Sequence, residues 1–153
     1  MSFIVEAIGR VEGGRIEAED DAWDAVAATI VLDPAMVGDD AIAGLDAFSH
    51  VEIVYLFDRL PESAIVTGAR RPRGKPDWPM VGILAQRGRN RPNRIAVSVC
   101  RIVAVDGLRL SVTGLDAIDG TPVLDVKPVL RGFITRGEVC EPAWAGEIMA
   151  GYW

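Results

Sequence analysis

The chain has 153 residues, of which half are apolar, and a formal net charge of −6. This length and apolar content exclude a disordered chain and predict one domain, residues 1–153, with a core of its own. We recognise no signal peptide and no apolar run long enough to span a bilayer. The two cysteines, Cys100 and Cys140, match no metal-binding spacing, so we expect no metal and a reducing, cytoplasmic location.

Positive charge is concentrated in one window of this acidic chain. Residues 70–94 contain eight of the sixteen Lys and Arg residues and a single acid, Asp77, which gives a net charge of +7. The rest of the chain therefore carries −13. A basic patch on an acidic body predicts a local anionic partner and argues against coating by bulk nucleic acid. The charge alone does not separate RNA from a phosphorylated small molecule.

In the first half of the chain, apolar and β-branched runs predict three strands. They cover Phe3–Val11, before a turn at Gly13-Gly14, then Ala25–Leu32 and Phe48–Phe57. Pro34 suits the start of a helix, and a short helix is predicted over Ala35–Ile42. Pro61–Pro79 is rich in Pro and Gly and predicts a long irregular segment, which in a compact domain is usually a lid or a binding loop.

The second half has a more regular pattern. Apolar runs predict strands over Val81–Ala85, Ile95–Val105, Leu108–Leu115 and Pro122–Val126, with a hairpin turn at Asp106-Gly107. Glu141–Tyr152 repeats large apolar residues every four positions and predicts a short amphipathic helix. Because strands dominate without βαβ alternation, we predict an all-β, mainly antiparallel fold. It is a small β-barrel with short helices, including one at the C-terminus.

The stretch from Val81 to Ser98 carries four arginines within eight residues: Arg87, Arg89, Arg91 and Arg94. Like charges repel, and a guanidinium is not buried without a partner. Two interpretations stay open. One is a solvated basic loop between two strands. The other is a binding loop whose arginines are held ready for an anionic or nucleotide-like ligand.

Two single residues also have alternative roles. Trp78 either anchors its loop or stacks on a base. His50, the one histidine, is either a structural residue of its strand or a group that faces a ligand. With one histidine and no nucleophile placed for it, a hydrolytic triad has little support.

Four stretches, in this order along the chain, resemble one family. They are GLDAFSHVEIVYLF (Gly44–Phe57), RPRG (Arg71–Gly74), VGILAQRGRNRPNRIAVS (Val81–Ser98) and LDAIDGTPVLDVKP (Leu115–Pro128). The RPN triplet followed by DGTPVLD makes the resemblance specific. The chain resembles the TrmO methyltransferases, also called TsaA-like or YaeB-like, which use S-adenosylmethionine on tRNA. The resemblance covers most of the region from Gly44 to Pro128 and favours the binding-loop interpretation of the arginine stretch.

The resemblance implies a small antiparallel β-barrel in place of the usual Rossmann-type methyltransferase fold. Consistently, the chain has no G-x-G-x-x-G that follows a strand and opens a helix. The resemblance also implies a homodimer whose cofactor is held by loops near the subunit interface. The activity that it implies is methylation of the exocyclic nitrogen of a threonylcarbamoyl-adenosine beside the anticodon of tRNA.

The chain departs from the family pattern at several positions. Gln86 and Gly88 stand where Thr and Ser are common, Arg94 and Ala96 where Pro-x-Gly is common, Val129 where an aromatic is usual, and Asp58 where many members have histidine. The chain is also expected to lack the extra C-terminal domain of the longer tRNA-modifying members. Cofactor binding is therefore better supported by the resemblance than the identity of the substrate.

The cofactor-binding residues that the resemblance implies fall in three places. They are Phe57 and Asp58, then Arg87, Arg91, Asn93 and Val97, and finally Asp116, Ile118, Asp119, Gly120 and Thr121. Carboxylates suit the hydroxyl and amino groups of S-adenosylmethionine, and turn backbone suits its adenine edge. Asp119, Gly120 and Thr121 offer both, while Asp116 is either a further ligand or a turn-capping residue.

The basic and catalytic roles are assigned in the same way. Arg87 and Arg91 suit the methionine carboxylate or a substrate phosphate, and Asn93 suits the orientation of either. Asp58 is the candidate catalytic residue near the transferred methyl group, and no general base is assigned. This scheme requires that the bend after Ala85 and the bend after Ile118 lie at the same end of the barrel.

Two other functions compete with a tRNA methyltransferase. One is a methyltransferase that acts on a small molecule. The other is a non-catalytic RNA-binding β-barrel that uses Arg70–Arg94 as its electrostatic footprint.

Overall fold

A computed structural model describes residues 1–153 of the chain. Eight strands and one α-helix form its regular structure. They are β1 (Gly9–Glu12), β2 (Ala27–Leu32), β3 (His50–Leu56), β4 (Ala69–Arg70), β5 (Val81–Gly82), β6 (Ile95–Asp106), β7 (Arg109–Thr113), β8 (Pro122–Pro128) and α1 (Ala143–Met149). Short 3-10 turns occupy Leu45–Ala47, Glu62–Ala64, Pro72–Gly74 and Ile83–Ala85.

Six of the strands close into a barrel in the order β1-β2-β7-β6-β3-β8, and every neighbouring pair is antiparallel. The remaining two, β4 and β5, pair with each other inside the long segment between β3 and β6. The predicted all-β, antiparallel barrel with a C-terminal helix is confirmed. Closure of the sheet leaves the barrel strands without a free edge.

The core of the barrel follows from the period of two along each strand. On β3, Val51, Ile53 and Tyr55 are buried while the residues between them are partly exposed. The same alternation places Leu110 and Val112 of β7 inside the barrel. Successive side chains of a strand point to opposite faces, so alternating apolar residues fill one common interior.

The pairing register decides which connections share an end of the barrel. Leu56 at the end of β3 pairs with Ile95, Thr113 at the end of β7 pairs with Ala27, and Tyr55 pairs with Val123. Residues 13–26, 57–94 and 114–121 therefore all connect strands at the same end, which we call the site end. The β6–β7 hairpin and residues 33–49 lie at the opposite end.

The predicted helix over Ala35–Ile42 is wrong, because this segment is a series of turns. The Asp33 side chain accepts a hydrogen bond from Ala35 N–H at 2.8 Å, and Ala41 N–H donates to Gly38 O at 3.0 Å. An aspartate that bonds nearby backbone competes with helical hydrogen bonding, and Gly38 further weakens a helix.

Three other predicted elements are shorter than expected. The first strand begins at Gly9, which pairs with Leu32, the last residue of β2, so β2 offers no partner to residues 3–8. The run from Val81 to Ala85 is a strand for only two residues and then a 3-10 turn. The C-terminal helix covers Ala143–Met149 and not Glu141–Tyr152. No helix has the length and apolar character that a membrane crossing requires.

Candidate functional site

The two bends singled out in the sequence flank one strand end. Strand β3 lies between β6 and β8. The arginine bend, defined as residues 86–94, leads into β6, and the aspartate bend, defined as residues 116–121, leads into β8. The register of β3 with both neighbours places the two bends at the site end, on either side of the residues that follow Leu56. The geometric requirement of the sequence-based scheme is met.

The segment after β3 contacts both bends directly. Phe57 N–H donates to Arg94 O at 2.9 Å, and Arg59 Nη2 donates to Asp119 O at 2.8 Å. Asp58, which is exposed, lies between these two attachment points. The candidate catalytic residue therefore stands on a short bridge that links the arginine bend to the aspartate bend.

The aspartate bend belongs to a connection that crosses the end of the barrel. Strands β7 and β8 are three places apart in the ring of six, so residues 114–121 must pass from one wall to the opposite one. Leu115 and Ala117 are buried beneath this crossing. Asp119 N–H donates to Arg15 O and Gly120 N–H donates to Val11 O, both at 2.8 Å. Apolar side chains and backbone bonds thus fix the position of the bend.

Within the aspartate bend, one of the two carboxylate oxygens of Asp119 has a hydrogen-bond partner in the protein. Its Oδ1 accepts a hydrogen bond from Gly13 N–H at 2.8 Å, whereas Oδ2 has no partner in the protein. Thr121 is buried and Ile118 is half-buried. One carboxylate oxygen therefore remains available to a ligand at this end of the barrel.

The arginine bend is held by its own guanidinium groups. Arg87 Nη2 donates to Val97 O at 2.7 Å, Arg91 Nη1 to Gln86 O at 3.1 Å, and Arg94 Nη1 to Leu60 O at 2.9 Å. A guanidinium has five N–H donors, so each of these bonds leaves most of the group unengaged. The bonds explain how three of the four arginines are held in one bend without a carboxylate among them.

Most of the positive charge of residues 70–94 is uncompensated. In this window one basic residue forms an ion pair: Arg73 Nη2 lies 2.8 Å from Asp21 Oδ1. The hydrogen bond from Arg73 lowers the pKa of Asp21. The arginines of the bend donate to carbonyl oxygens, which bear no net charge, so their field reaches the solvent.

Backbone strain is concentrated at the same end. Ala22 (φ 62°), Arg73 (φ 48°) and Arg94 (φ 55°) are the non-glycine residues with positive φ, and each lies in a segment of the site end. Such conformations cost about 1–3 kcal/mol each and persist where the surroundings determine them. Arg94 follows the RPN triplet, and its N–H closes a turn onto Arg91 O at 3.1 Å.

Asp116 faces the barrel interior, and hydroxyl groups surround it. Its Oδ1 accepts hydrogen bonds from Tyr55 Oη at 2.9 Å and from Ser98 Oγ, and its Oδ2 accepts one from Tyr152 Oη. Burial first, and then the charge of Asp116, raise the pKa of both tyrosines. Asp116 thus joins the aspartate bend to β3, to β6 and to the C-terminal segment.

Sequence reasoning missed several residues of this end. Tyr55 and Ser98 could have been identified from the sequence. Each bears a hydroxyl group at a strand position whose neighbours two residues away belong to the core or pack against it. The Arg59 guanidinium donates to the backbone of Asp119, and the Gly13 N–H donates to its carboxylate, but no sequence pattern marks either residue. Tyr152 was predicted as part of a helical stripe and instead follows the helix.

The structure brings together only some of the residues that the resemblance implies. Phe57, Asp58, Asp119 and Gly120 lie on or beside the bridge between the bends, and Arg91 and Asn93 lie in the arginine bend. The side chain of Val97 is exposed on the outer wall of the barrel, where its carbonyl accepts the bond from Arg87. Asp116 is turned toward the interior.

Two residues with open roles lie away from the bends. Trp78 is buried, and its indole N–H donates to Glu147 Oε2 at 2.7 Å, so it anchors its loop. His50 starts β3, and its Nδ1 lies 2.8 Å from Ser49 Oγ. It lines a cavity of about 260 Å³ on the outer wall, together with Asp24, Val99, Arg101, Thr113, Gly114 and Trp153. No group of three His, Cys, Asp or Glu side chains is placed to hold a metal ion.

Known proteins resemble this chain in sequence. Residues 18–133 match the model of the tRNA-methyltransferase O N-terminal domain. RcsF of Pseudomonas aeruginosa is 40% identical over 133 residues, which cover 84% of this chain and 55% of RcsF. The tRNA (adenine(37)-N6)-methyltransferase of Escherichia coli is 39% identical over 95 residues, which cover 60% of this chain and 40% of that protein. The chain thus spans about half the length of these curated relatives.

A solved structure shares the fold as well. A crystal structure of TrmO from Pseudomonas aeruginosa superposes with a TM-score of 0.75 and 28% sequence identity, and the match covers 94% of this chain and 62% of that one. The barrel, the two bends at one end and the family match agree with one another. The chain belongs to the TrmO family, whose N-terminal domain it matches.

Proposed function

We propose that this chain is an S-adenosylmethionine-dependent methyltransferase that acts on tRNA. The observation that carries the proposal is the bridge of residues 57–59, which links the arginine bend to the aspartate bend at one end of the barrel. The names of two relatives support the proposal. The Escherichia coli protein is named a tRNA (adenine(37)-N6)-methyltransferase, and RcsF is described as a proposed S-adenosylmethionine-dependent methyltransferase.

The residues at the site end fit S-adenosylmethionine by their chemistry. Asp119 Oδ2 is a free acceptor for ribose hydroxyls, and the unpaired charge of Arg87 and Arg91 suits the methionine carboxylate. Gly120 presents backbone without a side chain, and the half-buried Phe57 and Ile118 offer apolar surface for adenine. An acceptor, cations and apolar surface are the groups that this cofactor requires.

Methyl transfer requires mainly that the cofactor and the acceptor nitrogen be correctly positioned. The bound cofactor supplies a methyl group activated by the positive charge of its sulfur. The two bends would hold the reactants, and the short bridge of residues 57–59 fixes the separation of the bends. In this proposal Asp58 would accept a hydrogen bond from the N–H of the acceptor nitrogen and so orient that nitrogen toward the methyl group.

The basic region of residues 70–94 is the proposed tRNA-binding surface. Its guanidinium groups are braced by carbonyl oxygens, so they are held in place while their charge remains free for phosphates. We propose, following the resemblance, that the methylated atom is the exocyclic nitrogen of a threonylcarbamoyl-adenosine beside the anticodon. The chain departs from the family pattern at Gln86 and Gly88 in the arginine bend and at Asp58 on the bridge, and these are the positions at which substrate choice is expected to differ.

We also propose a homodimer, with residues 1–153 acting as one barrel domain in the cytoplasm. The outward face of β6 presents an apolar stripe, Ile95, Val97, Val99 and Val103, each between 38% and 61% exposed, and the exposed Arg101 interrupts it between Val99 and Val103. A second copy packed on this stripe would cover it and would lie next to Arg87, which is bonded to Val97 O. The cofactor would then sit near the subunit interface.

The first test is calorimetry with S-adenosylhomocysteine, the product form of the cofactor. We expect a dissociation constant in the micromolar range, about −7 to −8 kcal/mol. Asp119→Asn keeps an oxygen for Gly13 N–H but removes the charge, and it should weaken binding about tenfold. Asp46→Asn removes the same charge from a 3-10 turn at the opposite end and should leave binding unchanged. No binding heat, or equal effects of both variants, would contradict the proposal.

The second test separates the competing functions. Methyl incorporation is measured with bulk tRNA and with a metabolite extract. Incorporation into tRNA supports the proposal, whereas incorporation into the metabolite extract alone indicates a small-molecule methyltransferase. RNA binding that falls steeply with salt, without any response to S-adenosylhomocysteine, indicates a non-catalytic RNA-binding barrel.

A further inference from the structure

The C-terminal segment, residues 143–153, returns to the site end after leaving the barrel. Strand β8 ends beside the start of β3, at the opposite end, since Pro128 pairs with Val51. The segment nevertheless bonds to residues 13–26: Ala22 N–H donates to Gly151 O and Trp23 N–H donates to Tyr152 O, both at 2.9 Å. We call residues 143–153 the clasp.

The clasp contacts each of the segments that meet at the site end. Tyr152 Oη donates to Asp116 Oδ2 in the aspartate bend. Glu147 Oε2 accepts the indole N–H of Trp78, which lies in the long segment between β3 and the arginine bend. The Arg73 guanidinium lies 5.9 Å from the centre of the Tyr152 ring. One short segment therefore fastens the connections that carry both bends.

Asp116 is the point at which the clasp acts on the candidate cofactor site. Both of its carboxylate oxygens are occupied by hydroxyl donors, and two of the donors, on Tyr55 and Ser98, come from the barrel wall. The third comes from Tyr152 on the clasp. Ile118, Asp119 and Gly120 follow Asp116 within four residues of the chain, so the position of its carboxylate sets the start of the cofactor-binding bend.

Backbone strain beside the clasp shows that its seating determines local geometry. Ala22 donates to the clasp and has φ 62°, and Arg73, which stacks toward Tyr152 and pairs with Asp21, has φ 48°. Non-glycine residues in the left-handed region are stable only when their contacts hold them there. If the clasp detached, Ala22 and Arg73 would lose contacts that hold their backbone in this conformation.

We propose that Tyr152 is a positioning residue, which acts through Asp116 so that the clasp must be seated for the aspartate bend to bind S-adenosylmethionine tightly. The inference rests on the proposed function, because it concerns the affinity of the same site. Tyr152 does not touch the cofactor in this scheme. Tyr152 instead fixes the position of the aspartate bend, which binds the cofactor.

Coupling between the clasp and the cofactor site must be reciprocal. If a seated clasp tightens cofactor binding by some factor, bound cofactor suppresses opening of the clasp by the same factor. The amides of Ala22 and Trp23 report that opening, since their hydrogen bonds end on clasp carbonyls. The amides of Leu32 and Asp33, bonded to Leu108 O and Ile8 O at the opposite end, report the rest of the barrel.

The test combines amide hydrogen exchange with calorimetry, using S-adenosylhomocysteine as the probe. In the unmodified protein we expect the probe to slow exchange at Ala22 and Trp23 about tenfold more than at Leu32 and Asp33. Tyr152→Phe keeps the ring but loses the donor, and it should weaken binding of the probe about tenfold and abolish the selective slowing. Ser98→Ala removes a wall donor from the same carboxylate and should keep the selective slowing.

The outcomes separate the two proposals. If the unmodified protein does not bind the probe, the proposed function fails and this inference fails with it. If the probe binds, but Tyr152→Phe binds it equally well or exchange slows uniformly, the positioning role is wrong and the proposed function stands. If Tyr152→Phe does not fold, exchange in the unmodified protein decides, because selective slowing at Ala22 and Trp23 supports the coupling and its absence overturns it.

Discussion

Gly120 is the residue at which conformation and contact restrict the candidate site most tightly. Its φ of 83° is one that residues with a Cβ rarely adopt, and a Cβ built there would lie 2.9 Å from Arg59 Nη2. Arg59 in turn donates to Asp119 O, the residue before the glycine. The glycine thus allows the bridge from β3 to pack against the aspartate bend.

We predict that Gly120→Ala destabilises the fold by about 1–3 kcal/mol and weakens S-adenosylhomocysteine binding, because both the backbone and Arg59 must shift. Thermal unfolding and calorimetry measure the two effects. Gly74→Ala is the matched control, since Gly74 also has positive φ, 68°, but open space around its Cβ position. It should cost stability without a loss of binding. Equal losses of binding in both variants would contradict the role of the Arg59 contact.

At the scale of elements, the strands were predictable from sequence and the connections were not. Alternation of apolar residues on β3 and the Asp106-Gly107 turn are local signals, and both are confirmed. The turns at 34–44 were mistaken for a helix because Asp33 and Gly38 act against a weak helical pattern. The strand predicted from Phe3 was too long, and its observed start at Gly9 pairs with the last residue of β2, Leu32, which is 23 residues away in sequence.

In the candidate site, too, the local motifs were predictable from the sequence and the long-range contacts were not. The motif residues of the two bends were identified by resemblance, and the pairing of β3 with β6 and β8 places both bends at one end. The contacts that join them, such as Arg59 to Asp119 O and Tyr152 to Asp116, are long-range in sequence. Such contacts depend on tertiary packing, which no local period encodes.

The hydroxyl cluster around Asp116 predicts a specific alkaline behaviour. The chain has two tyrosines, Tyr55 and Tyr152, and both bond to Asp116. Burial, and then the charge of Asp116, raise the pKa of each above the ordinary 10.0. Burial likewise raises the pKa of Cys100 to about 12. At a pH between the unfolded and the folded pKa of each group, that group is neutral in the folded protein and ionised in the unfolded chain.

The sign of the effect follows from these shifts. A group whose pKa is raised on folding contributes full stability below its unfolded pKa and loses it as the pH rises toward the folded pKa. Stability should therefore begin to fall above pH 9.0 through Cys100 and fall more steeply above pH 10.0, by about 1.4 kcal/mol per pH unit from Tyr55 alone. Tyrosinate absorbance recorded with circular dichroism tests this. Tyrosinate should form only as the native signal is lost, and half of it forming in native protein at pH 10.0 would refute the cluster.

For the whole molecule, charge and apolar surface are divided between two regions. The basic region of residues 70–94 rises from the site end, whereas the outward face of β6 is a stripe of β-branched apolar side chains along the barrel wall. Exposed apolar patches of this kind mark interaction surfaces. Arg87 links the regions, because it belongs to the arginine bend and donates to Val97 O on β6. Dimerisation through β6 and cofactor binding are therefore expected to depend on each other.

We predict that Val99→Glu converts a dimer into a monomer and weakens S-adenosylhomocysteine binding. In a two-fold interface each substitution occurs twice, and each unpaired buried carboxylate costs about 3–5 kcal/mol. Met36→Glu is the control, since it adds the same charge to an exposed apolar residue in the turns at the opposite end. Sedimentation at micromolar concentration gives the oligomeric state. A monomeric unmodified protein would end the dimer proposal. A Val99→Glu protein that remains dimeric would place the interface on another face, and the link through Arg87 would then lose its physical basis.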